Sequence, residues 1–291
     1  MSFCIMTDSA GNLPPAVTER YNIQVLSMSY TFNGEDCVCE DCEAFDAAAY
    51  YGALRKGARV TTSQIPPQRY ADAFEEVLKT GEDLLFVGLS SGVSGSFASA
   101  QIAAQMLREQ YPDRRIVLVD SLGASLGEGL LAVRAARCRE NGMELEETHE
   151  RVLTHCRRMY QVFTVDDLMH LRRTGRLSNV GAAVGFVLNI KPLLKGNRHG
   201  KIEAFAKIRG RKQAIDAMAK AYHDKVRDAG LVGVSHADSE EDAAYLISLL
   251  KKGATAPREI LLVKHEPMTG SHIGPGSLAL YFEGGDNVRE Q

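Results

Sequence analysis

Leu84-Leu85-Phe86-Val87-Gly88-Leu89-Ser90-Ser91-Gly92-Val93-Ser94-Gly95-Ser96 is an apolar run that breaks into a turn built of serines and glycines. The pattern predicts a buried strand, a tight turn, and a helix starting near Phe97. At such a corner the first amides of the helix lack intrahelical partners, so it favours a negative group, and the small hydroxyls beside it add neutral donors. No Gly-Lys-Ser/Thr closes the turn and no Gly-x-Gly-x-x-Gly lies in it, which excludes a Walker phosphate loop and a dinucleotide fingerprint. What remains is a cradle for an anion or a carboxylate, without a lysine.

Working outward, residues 3–8 form a second short apolar run whose end delivers Asp8 and Ser9 to a loop, and residues 116–121 form a third. Ligand groups in open α/β sheets collect at such strand ends. A strand is expected over 23–30, followed by the hairpin signal Asn33-Gly34, and a short strand over 60–65 breaks at Thr62 and Ser63. Helices are expected over 16–21, 45–57, 68–78, and from about Gly129 to Arg139. Strand and helix alternate, which argues for a parallel sheet with helices on both faces.

From about Val162 the pattern changes. A short helix over 166–177 stops at Gly175, with Arg176 just past the cap; residues 182–188 read as an apolar helix, a candidate lining for a ligand tunnel or plain core. A hairpin turns at Asn197–Gly200, a helix covers 211–229, and a strand over 231–236 precedes a helix over 240–251. Strands follow over 259–263 and 278–282, the last closing the sheet. Residues 271–276 read as a loop that holds His272. The fold class is α/β with two domains, a parallel-sheet domain over 1–160 and a mixed α/β domain over 161–291.

The 291 residues, 45% of them apolar, suffice for real cores, and no run approaches the ~20 apolar residues of a membrane span. Met1 to Asp8 carries no basic stretch ahead of an apolar one, so a cytoplasmic location is expected. The formal charge of −3 hides an asymmetry: residues 151–230 hold 17 Lys and Arg against 6 Asp and Glu, a net +11, leaving −14 for the rest. Basic residues are not interleaved with aromatics and Trp is absent, which argues against nucleic acid. Six cysteines in such a chain read as reduced thiols. Cys37, Cys39 and Cys42 have a spacing open to zinc or an iron-sulfur cluster, but no second cluster accompanies them, so they read as a cysteine-rich surface loop and no metal or other cofactor is expected.

Four separated segments carry a family pattern: Thr7-Asp8-Ser9, Thr62-Ser63-Gln64, the Ser90 to Ser96 turn, and His272-Ile273-Gly274-Pro275-Gly276, with Arg172-Arg173-Thr174-Gly175-Arg176 between the last two. Together they resemble the DegV family of bacterial fatty acid-binding proteins, nearly end to end. The resemblance implies two α/β domains with a long-chain fatty acid between them, presented to a separate fatty acid kinase that makes an acyl-phosphate for phospholipid synthesis. The chain itself is then a carrier rather than an enzyme, without stable membrane insertion. Thr62 and Ser94 would hydrogen-bond the carboxyl, with Ser63, Ser91 and Gly95 beside them. His272 and Arg176 would sit at the head group or its rim, and Arg172, Arg173 and Arg209 would face the kinase. Two departures stand out: Ile65-Pro66 where family members often have Pro-Ser after Thr-Ser-Gln, and Arg172-Arg173-Thr174-Gly175-Arg176 where they often have Lys-x-Gly-Gly-Arg.

Two rivals follow from the same residues. Gly88-Leu89-Ser90-Ser91-Gly92 fits Gly-x-Ser-x-Gly after a strand, and Ser90, Asp120 and His272 occur in the order of an α/β-hydrolase triad. A sugar-phosphate binder would use the Ser91 to Ser96 corner for its phosphate and predicts a wet, polar pocket.

Overall fold

The computed structural model describes residues 3–43, 45–177, 189–286 and 288–290. The first half runs β1 (Phe3–Asp8), α1 (Pro15–Arg20), β2 (Ile23–Leu26), β3 (Met28–Phe32), β4 (Glu35–Cys39), α2 (Ala47–Arg55), β5 (Val60–Ser63), α3 (Pro67–Lys79), β6 (Asp83–Gly88), α4 (Ser96–Gln110), β7 (Ile116–Asp120) and α5 (Leu126–Glu140). The second runs α6 (Leu145–Arg158), β8 (Met159–Thr164), α7 (Leu168–Arg173), β9 (Ile190–Gly196), β10 (Ile202–Arg209), α8 (Arg211–Lys225), β11 (Val226–His236), α9 (Glu240–Leu250), β12 (Glu259–Lys264), α10 (Pro267–Ile273) and β13 (Leu278–Gly284).

Three apolar runs, β1, β6 and β7, pair in parallel with β2 in the order β2-β1-β6-β7, so Asp8, Gly88 and Asp120 end at one edge of the sheet. A six-stranded mixed sheet, β10-β9-β8-β13-β11-β12, is built from the second half, and β4-β3-β5 makes a small antiparallel sheet. The fold class is thus as the alternating pattern indicated. Helix α5 packs against β1 and β6 on one side and β8 and β11 on the other. Eleven of its fifteen residues are buried, as a helix between two sheets requires. Its glycines permit the approach: a Cβ on Gly129 would lie 2.2 Å from the Gly11 carbonyl. Leu126, Leu130 and Leu131 share one apolar cluster with Ile5 and Leu85 from the parallel sheet and Phe163 and Tyr281 from the mixed one. Phe74, Phe86 and Phe97 fill the other face of the parallel sheet, and Met218, Leu246 and Phe282 that of the mixed sheet.

Several elements differ from the sequence reading. The single strand over 23–30 is two strands in different sheets. The chain turns at Ser27, whose carbonyl accepts from Arg69 at 3.0 Å, while the Met28 amide donates to the Ser9 hydroxyl at 3.0 Å. The helix expected over 211–229 stops at Lys225. Val226 pairs with Gly284, and the Asp228 carboxylate is engaged by the Gly230 amide at 2.7 Å and by Arg134 at 2.6 Å, which draws that stretch onto the sheet. Strand β13 does not close the sheet but lies inside it, between β8 and β11. Helix α5 starts at Leu126, ahead of its glycines. Cys37 and Cys39 lie on a strand rather than a surface loop, and Cys39 and Cys42 are buried. The helix expected over 182–188 lies outside the described residues. Asn33 (φ 51°) and Gly34 (φ 93°) make the expected two-residue hairpin, between β3 and β4.

Candidate functional site

The loops at the ends of the parallel strands, β5, α10 and the inner face of the mixed sheet enclose a cavity of about 320 Å³. Its wall is mostly apolar, with Met28, Leu89, Phe163, Ile202, Met268 and Ile273 contributing. Thr62, Ser63, Ser94, Gly95, Arg176 and His272 line it as well, so six of the seven sequence-derived ligand candidates meet at one cavity. Ser91 does not: its side chain is exposed and its amide donates to Asp120 Oδ1 at 3.2 Å.

Thr62 stands on β5 because the strand pairs antiparallel with β3, Thr62 opposite Tyr30. It caps no helix; α3 starts behind Pro66 without a side-chain cap. The segment after it is tied to the serine turn: the Ile65 amide donates to Ser96 Oγ at 3.3 Å, and Ser94 Oγ donates to Ser96 Oγ at 3.1 Å. Gln64 Oε1 lies over Gly95, where a Cβ would come within 2.0 Å of it. His272 arrives on the last turn of α10, a helix where the sequence suggested a loop. The α10 start is fixed by Glu266, which accepts from the Thr269 amide at 2.7 Å and from the Met268 amide.

Thr62 Oγ1 and His272 Nε2 are 2.8 Å apart. Burial, then the nearby Arg176 and His170, push the His272 pKa down to about 4, so the ring is neutral at physiological pH. Hydroxyl and neutral imidazole carry two protons between them, and their mutual bond uses one. His272 Nδ1 is buried and has no partner among the described residues. Arg176 is half-buried; its Nη1 donates to the Thr174 carbonyl at 2.6 Å, and it forms no ion pair among the described residues. Burial holds its pKa below the usual arginine range. The wall of a mostly apolar cavity thus offers hydroxyls, an imidazole and a guanidinium without an ion-pair partner among the described residues, a set suited to a single carboxylate.

The serine turn is not the open anion cradle that its composition suggests. The amides of Ser90, Ser91, Gly92, Val93, Ser94 and Ser96 each find an acceptor within the protein. Gly95, on the cavity wall, is the exception in that stretch among the described residues. The turn itself docks on the β9–β10 connection: Ser90 Oγ donates to the Gly200 carbonyl at 2.9 Å, and a Cβ on Gly92 would fall 2.5 Å from the His199 carbonyl. Beneath it, Asp8 accepts from the Leu89 and Ala10 amides at 3.3 and 3.0 Å. Burial pushes Asp8 up to about 6, and burial together with the Asp8 charge raises Glu128 far above the usual carboxylate range. Thr7 Oγ1 donates to Glu128 Oε1 at 2.8 Å.

This geometry does not form the hydrolase triad. Ser90 is fully buried and engaged with Gly200, Asp120 Oδ1 accepts from the Ser91 and Leu122 amides, and His272 is paired with Thr62. Of the expected partner-facing residues, Arg172 and Arg173 are exposed on α7, Arg173 paired with Asp167, and Arg209 is exposed at the end of β10. Among the described residues no three His, Cys, Asp or Glu side chains form a group able to hold a metal ion.

Sequence reading missed the wall itself. Gln161, Phe163, Ala279 and Tyr281 line the cavity, and the antiparallel register sets Ala279 opposite Phe163 and Tyr281 opposite Gln161. Their period of two along β8 and β13 was visible, but the cavity beside that face was not. His265 also lines it, as part of a buried set with Ser125 Oγ at 3.3 Å from Nδ1 and Ser235 Oγ at 3.1 Å from Nε2. Burial pushes His265 down to about 3.

A family model described as "Uncharacterised protein, DegV family" matches residues 2–284. The chain belongs to the DegV family. A DegV domain-containing protein of Clostridium perfringens is 34% identical over 284 residues, 97% of each chain. Among solved structures, a DegV family protein from Thermus thermophilus, described for its fatty acid binding, superposes with a TM-score of 0.88 at 28% identity, covering 98% of this chain and 100% of that one. A DegV protein from Ruminococcus gnavus, refined with vaccenic acid, superposes with a TM-score of 0.85 at 25% identity, covering 97% and 99%. No helix among the described residues is long and apolar enough to cross a membrane.

Proposed function

We propose that this DegV protein binds one long-chain fatty acid between its two α/β units, residues 1–160 and 161–291, and presents it to a fatty acid kinase in the cytoplasm for phospholipid synthesis. Thr62, Ser94 and the Gly95 amide hold the carboxylate, with Ser63, His272 and Arg176 around it, and the acyl tail occupies the apolar cavity. Arg172, Arg173 and Arg209 serve the kinase contact, and the chain performs no covalent step of its own. The observation that carries this reading is one cavity whose wall is apolar and whose polar groups include Thr62, paired with His272 at 2.8 Å, and an Arg176 without a carboxylate partner among the described residues. The fatty acid-bound DegV relatives support it.

The energetics fit a carrier. Burying a sixteen-carbon tail at ~0.8 kcal/mol per methylene supplies about 12 kcal/mol before costs, so the tail carries affinity and the head group sets orientation. Neutral donors then suffice for the carboxylate and leave it available for transfer. Organic extraction of the purified protein followed by mass analysis tests the reading. A stoichiometric C14 to C18 acid is expected; a phosphorylated sugar, or protein that stays empty when offered such acids, refutes it.

A further inference from the structure

We propose that Arg289 is a positioning residue for this acyl site: it clamps the β7–α5 loop against the β9–β10 turn and thereby sets which acyl chains the cavity accepts. The inference rests on the fatty acid reading above. Arg289 is 3% exposed, and its polar contacts among the described residues are backbone carbonyls. Nη1 donates to the Leu122 carbonyl at 2.6 Å and reaches the Asn197 carbonyl at 3.5 Å, Nη2 reaches the Ser121 carbonyl at 3.5 Å, and Nε has no partner among the described residues. Burial pulls its pKa down to about 10, offset in part by Cys156 and Asp120. A buried guanidinium served by carbonyls alone is costly to fold, so its place calls for a reason.

The reason lies in what it touches. Leu122 adopts φ 52° and Ser125 φ 53°, left-handed values that are strained for side chains other than glycine, asparagine and aspartate. Leu122, Gly123 and Ala124 line the cavity, as do Gly196 and Gly200 on the opposing turn. Other side-chain bonds to this loop segment are longer: the Leu122 amide donates to Asp120 Oδ1 at 3.0 Å and the Gly123 amide to Ser121 Oγ at 3.1 Å, both from within the same connection, while Gln161 Nε2 reaches the Leu122 carbonyl at 3.4 Å and the Ala124 amide reaches Gln161 Oε1 at 3.3 Å. The arm that carries Arg289 is itself anchored, with Val288 buried against the Tyr222 and Phe282 cluster and Lys195 Nζ 3.4 Å from the Arg289 carbonyl. One side chain from outside the cavity therefore joins two of its walls and holds a strained loop that forms part of one. Without it, the loop relaxes to ordinary backbone angles and the cavity loses its fixed depth.

The test measures binding of even-numbered saturated fatty acids from twelve to twenty carbons to delipidated wild-type protein, Arg289→Met and Arg289→Lys. Lysine keeps the charge and the fold but, as a point donor, does not span both walls. Wild type is expected to discriminate by about tenfold or more between its best acid and one four carbons longer, and both variants to compress that ratio to about threefold. Amide exchange across 121–125 should accelerate by about tenfold in the variants. A length preference retained in a folded Arg289→Lys or Arg289→Met protein, or its absence in wild type that binds these acids, overturns the role of Arg289. Wild type that binds none of them overturns the fatty acid reading itself.

Discussion

Replacing Thr62 by valine keeps the side chain's shape and removes its hydroxyl, which sits 2.8 Å from His272 Nε2. With the acid bound, one hydrogen bond to a carboxylate disappears, a loss of about 1.5–3 kcal/mol, and His272 loses its ring partner in both free and bound protein. Taking about 2 kcal/mol, affinity falls roughly 30-fold at 1.4 kcal/mol per decade. One methylene of the tail contributes ~0.8 kcal/mol, about fourfold, so the lost hydroxyl equals two to three methylenes. Two consequences follow for titration calorimetry with acids of increasing length. Plots of log Kd against chain length for wild type and Thr62→Val should be parallel and offset by about 1.5 decades, up to the length that fills the cavity. The variant with an acid two or three carbons longer should match wild type. Thr62→Ser, which keeps the hydroxyl, should stay within about threefold of wild type. Binding by Thr62→Val within that same margin, or an offset that grows with chain length, would show that Thr62 does not hold the head group.

The pH dependence of stability tests the α10 cap. Burial raises Glu266 to about 7, so the folded state binds its proton more tightly than the unfolded chain, and this contribution is full below about pH 4.5 and lost as pH rises to 7. Urea unfolding of wild type relative to Glu266→Gln should therefore lose on the order of 3 kcal/mol across that window; a constant difference contradicts the assignment. Gly52→Ala and Gly92→Ala should move stability in opposite directions. A Cβ on Gly52, inside α2, meets nothing within 4 Å, so alanine adds about 1 kcal/mol. One on Gly92 meets backbone of the β9–β10 turn at 2.5 Å and costs about 1–3 kcal/mol, read from thermal midpoints. Ser90→Ala leaves the buried Gly200 carbonyl without its donor and should destabilise by about 1–3 kcal/mol, while a fluorophosphonate probe should leave wild-type Ser90 unlabelled; labelling there would revive the hydrolase reading.

Much of the fold was legible because local signals and tertiary structure agree. The apolar runs at β1 and β6 bury on both faces, so their hydrophobicity alone marked them, and Asn33-Gly34 named its hairpin by backbone chemistry. The readings failed where a distant side chain ended an element. Arg69 and Ser9 split the strand over 23–30, and Arg134 with Asp228 helps hold the stretch after Lys225 to the sheet. Neither partner is near in sequence. His272 was expected on a loop because Gly274, Pro275 and Gly276 follow it, yet Glu266, a buried cap, starts a seven-residue helix over Pro267–Ile273.

From its order of residues alone this chain declared an α/β architecture, since strand, turn and helix preferences act over a few neighbours, and its resemblance to the DegV family singled out Thr62, Ser94, Arg176 and His272. Only folding decided that Ser91 turns to solvent, that the glycine-serine turn spends most of its amides internally, and that Phe163 and Tyr281 line a cavity. Those outcomes depend on packing between two sheets and on hydrogen bonds spanning a hundred residues or more, as from Ser90 to Gly200 or Leu122 to Arg289, and short-range pattern carries no information about them.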